Sequence, residues 1–160
     1  TYTFKEGGGM ENFRLSRAPI SIKSLMTSLL SVIGLTYILL LLHVWHDTEM
    51  KASLIAQAYS TMESIELTNI THTYLPYYAL YLFAIPVVLF MFTSYSEKVK
   101  RIFAVLPFIF CVIDIGSMWS IPYLNKGFSL ALWLAGTCLA STFLTLYILN
   151  IYDIWFRKQK

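Results

Sequence analysis

The chain has 160 residues, of which 57% are hydrophobic and 13% charged. Its mean hydropathy is +0.61, and an ordinary soluble domain is only roughly 45–50% apolar. That excess excludes a water-soluble globule, and a net charge of +3 gives no argument for nucleic acid.

In chain order, the segment TYTFKEGGG (1–9) ends in three glycines before Met10 and reads as a separate leader or tag. Four long apolar runs follow: Ser24 to His46, His72 to Ser94, Ile102 to Tyr123 and Phe128 to Ile154. Each has about the 20 residues needed to cross a hydrocarbon core of roughly 30 Å. None alternates as a barrel strand would, so helices are the economical way to satisfy the backbone in lipid. The first run carries no A-x-A cleavage pattern and is too long for a signal-peptide core, which predicts a retained helix. The expected fold is all-α: an integral membrane four-transmembrane-helix bundle (24–154) with a cytoplasmic N-terminal segment (1–23) and tail (155–160).

The orientation follows from charge. Ten of the twelve Lys and Arg fall on one side of a four-pass chain: Lys5, Arg14, Arg17 and Lys23, then Lys98, Lys100 and Arg101, then Arg157, Lys158 and Lys160. Only Lys51 and Lys126 fall on the other side. The positive-inside rule puts both termini in the cytoplasm, which in a bacterium makes this a multi-pass inner-membrane protein.

The first outer loop, Asp47 to Thr71, is long and acidic, with Asp47, Glu49, Glu63 and Glu66 against one lysine. Met50, Leu54, Ala58, Met62 and Ile65 recur in it at spacings of three and four, which predicts a short amphipathic helix that lies on the outer membrane surface, packs on a partner or caps its own bundle. Asn125, Lys126 and Gly127 form a tight second outer turn. Along the fourth run, Ala131, Ala135, Cys138, Thr142 and Thr145 make a small-residue stripe suited to close helix packing. Cys111 and Cys138 read as packing residues.

Chemistry is concentrated at one level. His43 and His46 close the first helix, His72 opens the second, and Asp114 lies about 13 residues, roughly 20 Å, up the third run. An acid at that depth turns inward to a partner. Tyr74, Tyr78 and Tyr81 bring phenols to the same layer, and Pro76 and Pro86 free backbone carbonyls there.

Three functional readings compete. His72 with His43 or His46 could ligate a b-type haem. Asp114 with a histidine and Tyr78 or Tyr81 could bind a quinol headgroup at the outer leaflet. The H-x-x-H pair with His72 or Asp114 could hold a metal. Against these stands a structural reading: interfacial histidines, an aromatic belt of Trp45, Tyr74, Tyr77, Trp119 and Tyr123, and an Asp114 that hydrogen-bonds between helices. No nucleotide loop, nucleophile triad or zinc-protease motif occurs, so a self-sufficient enzyme is not expected.

Short motifs carry a resemblance: R-A-P-I (Arg17 to Ile20), T-H-x-Y (Thr71 to Tyr74), K-R (Lys100, Arg101) and L-P-F-x-x-x-x-x-D-I-G-x-x-W (Leu106 to Trp119). In this order they resemble a loosely defined group of small bacterial four-helix membrane proteins encoded beside multihaem cytochromes. In that group the second helix begins T-H-x-H, and here Tyr74 replaces the second histidine. The resemblance implies an electron-transport setting and no reaction of its own. The sequence thus points to an accessory or anchoring subunit of an electron-transfer complex. Such a subunit would dock a periplasmic multihaem cytochrome or complete a quinol site, within a hetero-oligomer. The alternative is a non-redox scaffold without cofactor.

Overall fold

With no water in the bilayer core, each backbone amide must find its partner inside its own helix, and every regular element described is helical. The structure, a computed structural model, describes residues 13–157. The leader reading of residues 1–9, with Lys5, Lys158 and Lys160, lies outside that range. A 3-10 turn (Leu15–Arg17) precedes α1 (Ile20–Thr48) and α2 (Ala52–Ser60). Then come α3 (Ser64–Met91), α4 (Glu97–Tyr123) and α5 (Phe128–Trp155). Helices α1, α3, α4 and α5 are long and apolar enough to cross a membrane, and no strand occurs among the described residues.

Local chemistry sets the helix ends. Helix α1 starts after Pro19, whose ring fixes the approach, and stops where Glu49 and Met50 both take positive φ, at 47° and 54°. A capping box starts α3: Glu63 bonds the N3 backbone, and the Glu66 side chain accepts from the Glu63 N–H at 3.1 Å. The turn between α4 and α5 is closed by Asn125, whose Oδ1 accepts from the Gly127 N–H at 2.7 Å.

The capping box corrects the expected amphipathic stripe. The chain breaks at Thr61 and restarts at Ser64, so a single helical period cannot run from Met50 to Ile65. Ile65 belongs to α3 and is exposed, while the buried side chains of this region are Ile55 and Leu67. The short helix is present and rolls Ile55 toward the bundle, as a helix capping its own bundle does.

Inside α3, the segment Tyr77–Ala84 is π-helical, beginning directly after Pro76 and ending just before the turn that holds Pro86. Both prolines lack the N–H that a regular α-ladder needs, and a widened turn is one way a helix absorbs that loss.

Two ends can be told apart. At one, which we call the terminal end, the Leu15 N–H bonds the Phe92 carbonyl at 3.0 Å and the Ser94 N–H bonds Asp153 Oδ1 at 3.0 Å. At the far end, Trp119 Nε1 donates to Thr71 Oγ1 and Trp133 Nε1 to the Met50 carbonyl, each at 2.8 Å. The main core lies between, built by Ile33 and Tyr37 of α1, Phe83 and Phe90 of α3, Cys111 of α4 and Phe143 and Leu146 of α5. The most extensive packing is between α4 and α5. Ala135 and Thr142 of the small stripe are buried, whereas Thr145 is exposed. The outward face of α1 (Leu25, Val32, Leu35, Leu39, Leu42) stays uncovered, as suits a wall against acyl chains.

Candidate functional site

The far half of the bundle assembles its polar groups unevenly. Histidines His43 and His46 stand on the last turns of α1 and share one carboxylate, Asp47, at 3.5 and 3.4 Å. Both remain mostly exposed, with side-chain accessibilities of 61% and 90%. His72 is exposed on α3, one residue past the Thr71 that Trp119 grips. Among the described residues no three His, Cys, Asp or Glu side chains come together as metal ligands.

Asp114 is placed differently. It is half-buried, and a Cβ built on Gly136 of α5 would lie 3.8 Å from its Oδ1, so the carboxyl group points across the α4–α5 contact. Tyr37 of α1, Tyr59 of α2, Tyr78 of α3 and Cys111 are all near enough to feel its charge. Its carboxyl oxygens have no hydrogen bond or ion pair to any described residue.

Of the residues the sequence proposes, the fold places Asp114 and Tyr78 near one another. Tyr81 stands exposed, its ring against Tyr77 at 6.4 Å, while Tyr78 stacks on Tyr74 at 5.8 Å. Two members of the layer, Tyr37 and Tyr59, were not legible. Tyr37 sits in the run L-T-Y-I-L-L and reads as one more apolar position, yet it is buried with its ring 4.4 Å from Phe143. Tyr59 lies in the loop, one helical turn beyond the buried Ile55, and that i, i+4 spacing is the signal that could have placed it. Burial, with Tyr74, Asp114 and Asp47 nearby, pushes the Tyr59 hydroxyl up to about 12. At neutral pH it therefore remains a protonated donor.

Residues 52–160 match the family model Aq_1264_TM, described as a transmembrane helical domain. The chain belongs to this family. The match takes in α2 to α5 with Tyr59, His72, Tyr78, Cys111 and Asp114, whereas Tyr37, His43 and His46 lie on α1 outside the matched region. No curated protein and no solved structure matches the chain. As a transmembrane helical domain it is a multi-pass membrane protein in contact with the bilayer.

A second polar cluster, absent from the sequence reading, sits at the terminal end. Asp153 is completely buried, and its Oδ1 accepts from the Ser94 N–H and from Arg157 Nη1 at 3.4 Å. The Arg157 guanidinium lies 4.7 Å over the Tyr95 ring. One turn earlier, buried Asn150 donates to the carbonyls of Pro86 (3.0 Å) and Leu146 (2.9 Å), tying α5 to the proline of α3. This cluster fastens helices together, and its i, i+4 acid–arginine spacing was its only mark in the sequence.

Proposed function

We propose that the chain is an accessory membrane subunit of a bacterial electron-transfer complex and completes a quinol site in the outer leaflet. The observation that supports this is Asp114, a half-buried acid far along α4 with three tyrosines around it and no hydrogen-bond donor among the described residues. A charged side chain in the membrane costs about 2.5–3.5 kcal/mol on insertion scales and ordinarily turns to a partner. A hydroquinone hydroxyl supplies the missing donor, and the phenols of Tyr59 and Tyr78 supply hydrogen bonds to the ring oxygens. Basic residues Arg14, Arg17, Lys98 and Arg101 at the terminal end argue for a cytoplasmic placement of both termini in the inner membrane. The far end then faces the periplasm, where the acidic rim of Asp47, Glu49, Glu63 and Glu66 offers a surface to a multihaem cytochrome as electron acceptor.

The test is quinol binding by the purified membrane complex. Asp114→Asn keeps the shape and removes the charge-assisted hydrogen bond, worth about 1.5–3 kcal/mol. Affinity should fall roughly 10- to 100-fold, with assembly unchanged. Equal affinity in the two proteins would instead favour the non-redox scaffold, in which Asp114 only specifies helix packing.

A further inference from the structure

A groove of about 510 Å³ runs down the flank of the bundle between α1 and α5. Small residues make it: Gly34 on α1 and Ala140 and Ser141 on α5, with Tyr37, Ile38 and Leu144 along its walls. At Gly34 the two helices come close: a Cβ there would lie 3.3 Å from Tyr147 Cε2, and the ring would have to give way by a few tenths of an ångström. The volume falls in the range of roughly 300–1,000 Å³ typical of small-molecule pockets.

The groove is mainly apolar despite its hydroxyls. Ser31 Oγ donates to the Thr27 carbonyl at 2.8 Å and Ser141 Oγ to the Thr137 carbonyl at 2.9 Å. Their protons are used within their own helices, and apart from the phenols of Tyr37 and Tyr147 the remaining side chains form an apolar wall suited to a hydrocarbon.

Its position ties it to the polar layer. Tyr37 belongs to both, since it lines the groove and feels the charge of Asp114. Along α5, Gly136 stands beside Asp114, Ala140 opens the groove one turn further, and Tyr147 closes it. That path is roughly 16 Å at 1.5 Å per residue and runs from the polar layer across the middle of α5 (Phe128–Trp155) toward its terminal end. A head at Asp114 and a tail in the groove would lie along the bundle axis, polar end toward the far end and tail across the middle. The acid also selects the head: with no donor among the described residues, its carboxyl oxygens favour a hydroxyl that can donate.

We infer that the α1–α5 groove is the tail site of an isoprenoid hydroquinone whose head sits at Asp114. This rests on the quinol reading above and adds the class of ligand and its path. The helix outside the matched family region, α1, thereby contributes one wall of the ligand site.

The experiment uses the full chain in lipid nanodiscs and a decyl hydroquinone carrying a photoreactive diazirine on its tail, with adducts mapped by mass spectrometry. Adducts on 31–41 and 140–147 that unlabelled decyl hydroquinone competes away are expected. Ser141→Phe, which fills the groove from a position exposed on the α5 surface, should lower their yield at least tenfold, and Ser141→Ala should not. Competed adducts confined to the α3–α4 flank would overturn the tail site while leaving the quinol reading intact. Groove adducts competed by phospholipid and not by hydroquinone would overturn it as well, making the groove a lipid seat. The absence of any competed adduct would remove the quinol reading and this inference together.

Discussion

Asp153 shows how far a single residue can escape a sequence reading. It closes an apolar run beside tyrosine, isoleucine and tryptophan and looks like the hem of a helix, yet it is completely buried. One partner is distant, the Ser94 backbone between α3 and α4, and the other is Arg157 one turn on, which is one-third exposed. A buried carboxylate left without its cation is costly, whereas the neutral amide can still accept the Ser94 N–H. Arg157→Gln should therefore destabilise the bundle by about 2 kcal/mol, and Asp153→Asn by about half of that. Unfolding in mixed micelles checks the order, and a larger loss for Asp153→Asn would contradict it. At the same scale Asp114 is legible because an acid mid-helix in a membrane has few innocent explanations.

At the scale of elements, α2 depends on an unusual turn. Glu49 and Met50 both hold a left-handed conformation that non-glycine residues adopt at a cost, and the Lys51 ammonium pairs with the Glu49 carboxylate. The turn is fixed from outside by the Trp133 indole, which donates to the Met50 carbonyl. Trp133→Phe removes that bond, worth roughly 0.5–1.5 kcal/mol. Hydrogen exchange of the amides in α2 should then speed up about three- to tenfold, while the amides of α4 stay unchanged. Equal protection of α2 in both proteins would mean that the indole does not hold it. The sequence pattern foresaw a helix in this loop but not its face, because periodicity cannot register the break that the Glu63–Glu66 capping box imposes. The prolines of α3 were visible too, yet the π-helical turn between them follows from how the whole helix packs.

For the whole molecule, the placement of the termini is a property of charge and not of packing. Lys98 and Lys126 are exposed on opposite ends of the bundle. Cysteine placed at Lys126 should react with a membrane-impermeant maleimide added to spheroplasts, and cysteine placed at Lys98 should react only after lysis. The reverse pattern would invert the orientation, and with it the leaflet of the Asp114 layer. Buried Cys111 and half-buried Cys138 lie within membrane helices, so an impermeant reagent has little access to them.

The sequence by itself determined the number of crossings, the helical class and the level of Asp114 along its helix, because hydropathy, length and backbone satisfaction in lipid are local demands that each segment meets alone. Tertiary structure alone decided which polar groups meet. Tyr37, Tyr59 and Tyr78 come from three different helices, and the histidines at the same level face outward. In a chain that is apolar on nearly every face, hydropathy does not tell the lipid side from the core side. The rotation of each helix is then set by packing and by a few buried bonds, such as Asn150 to Pro86.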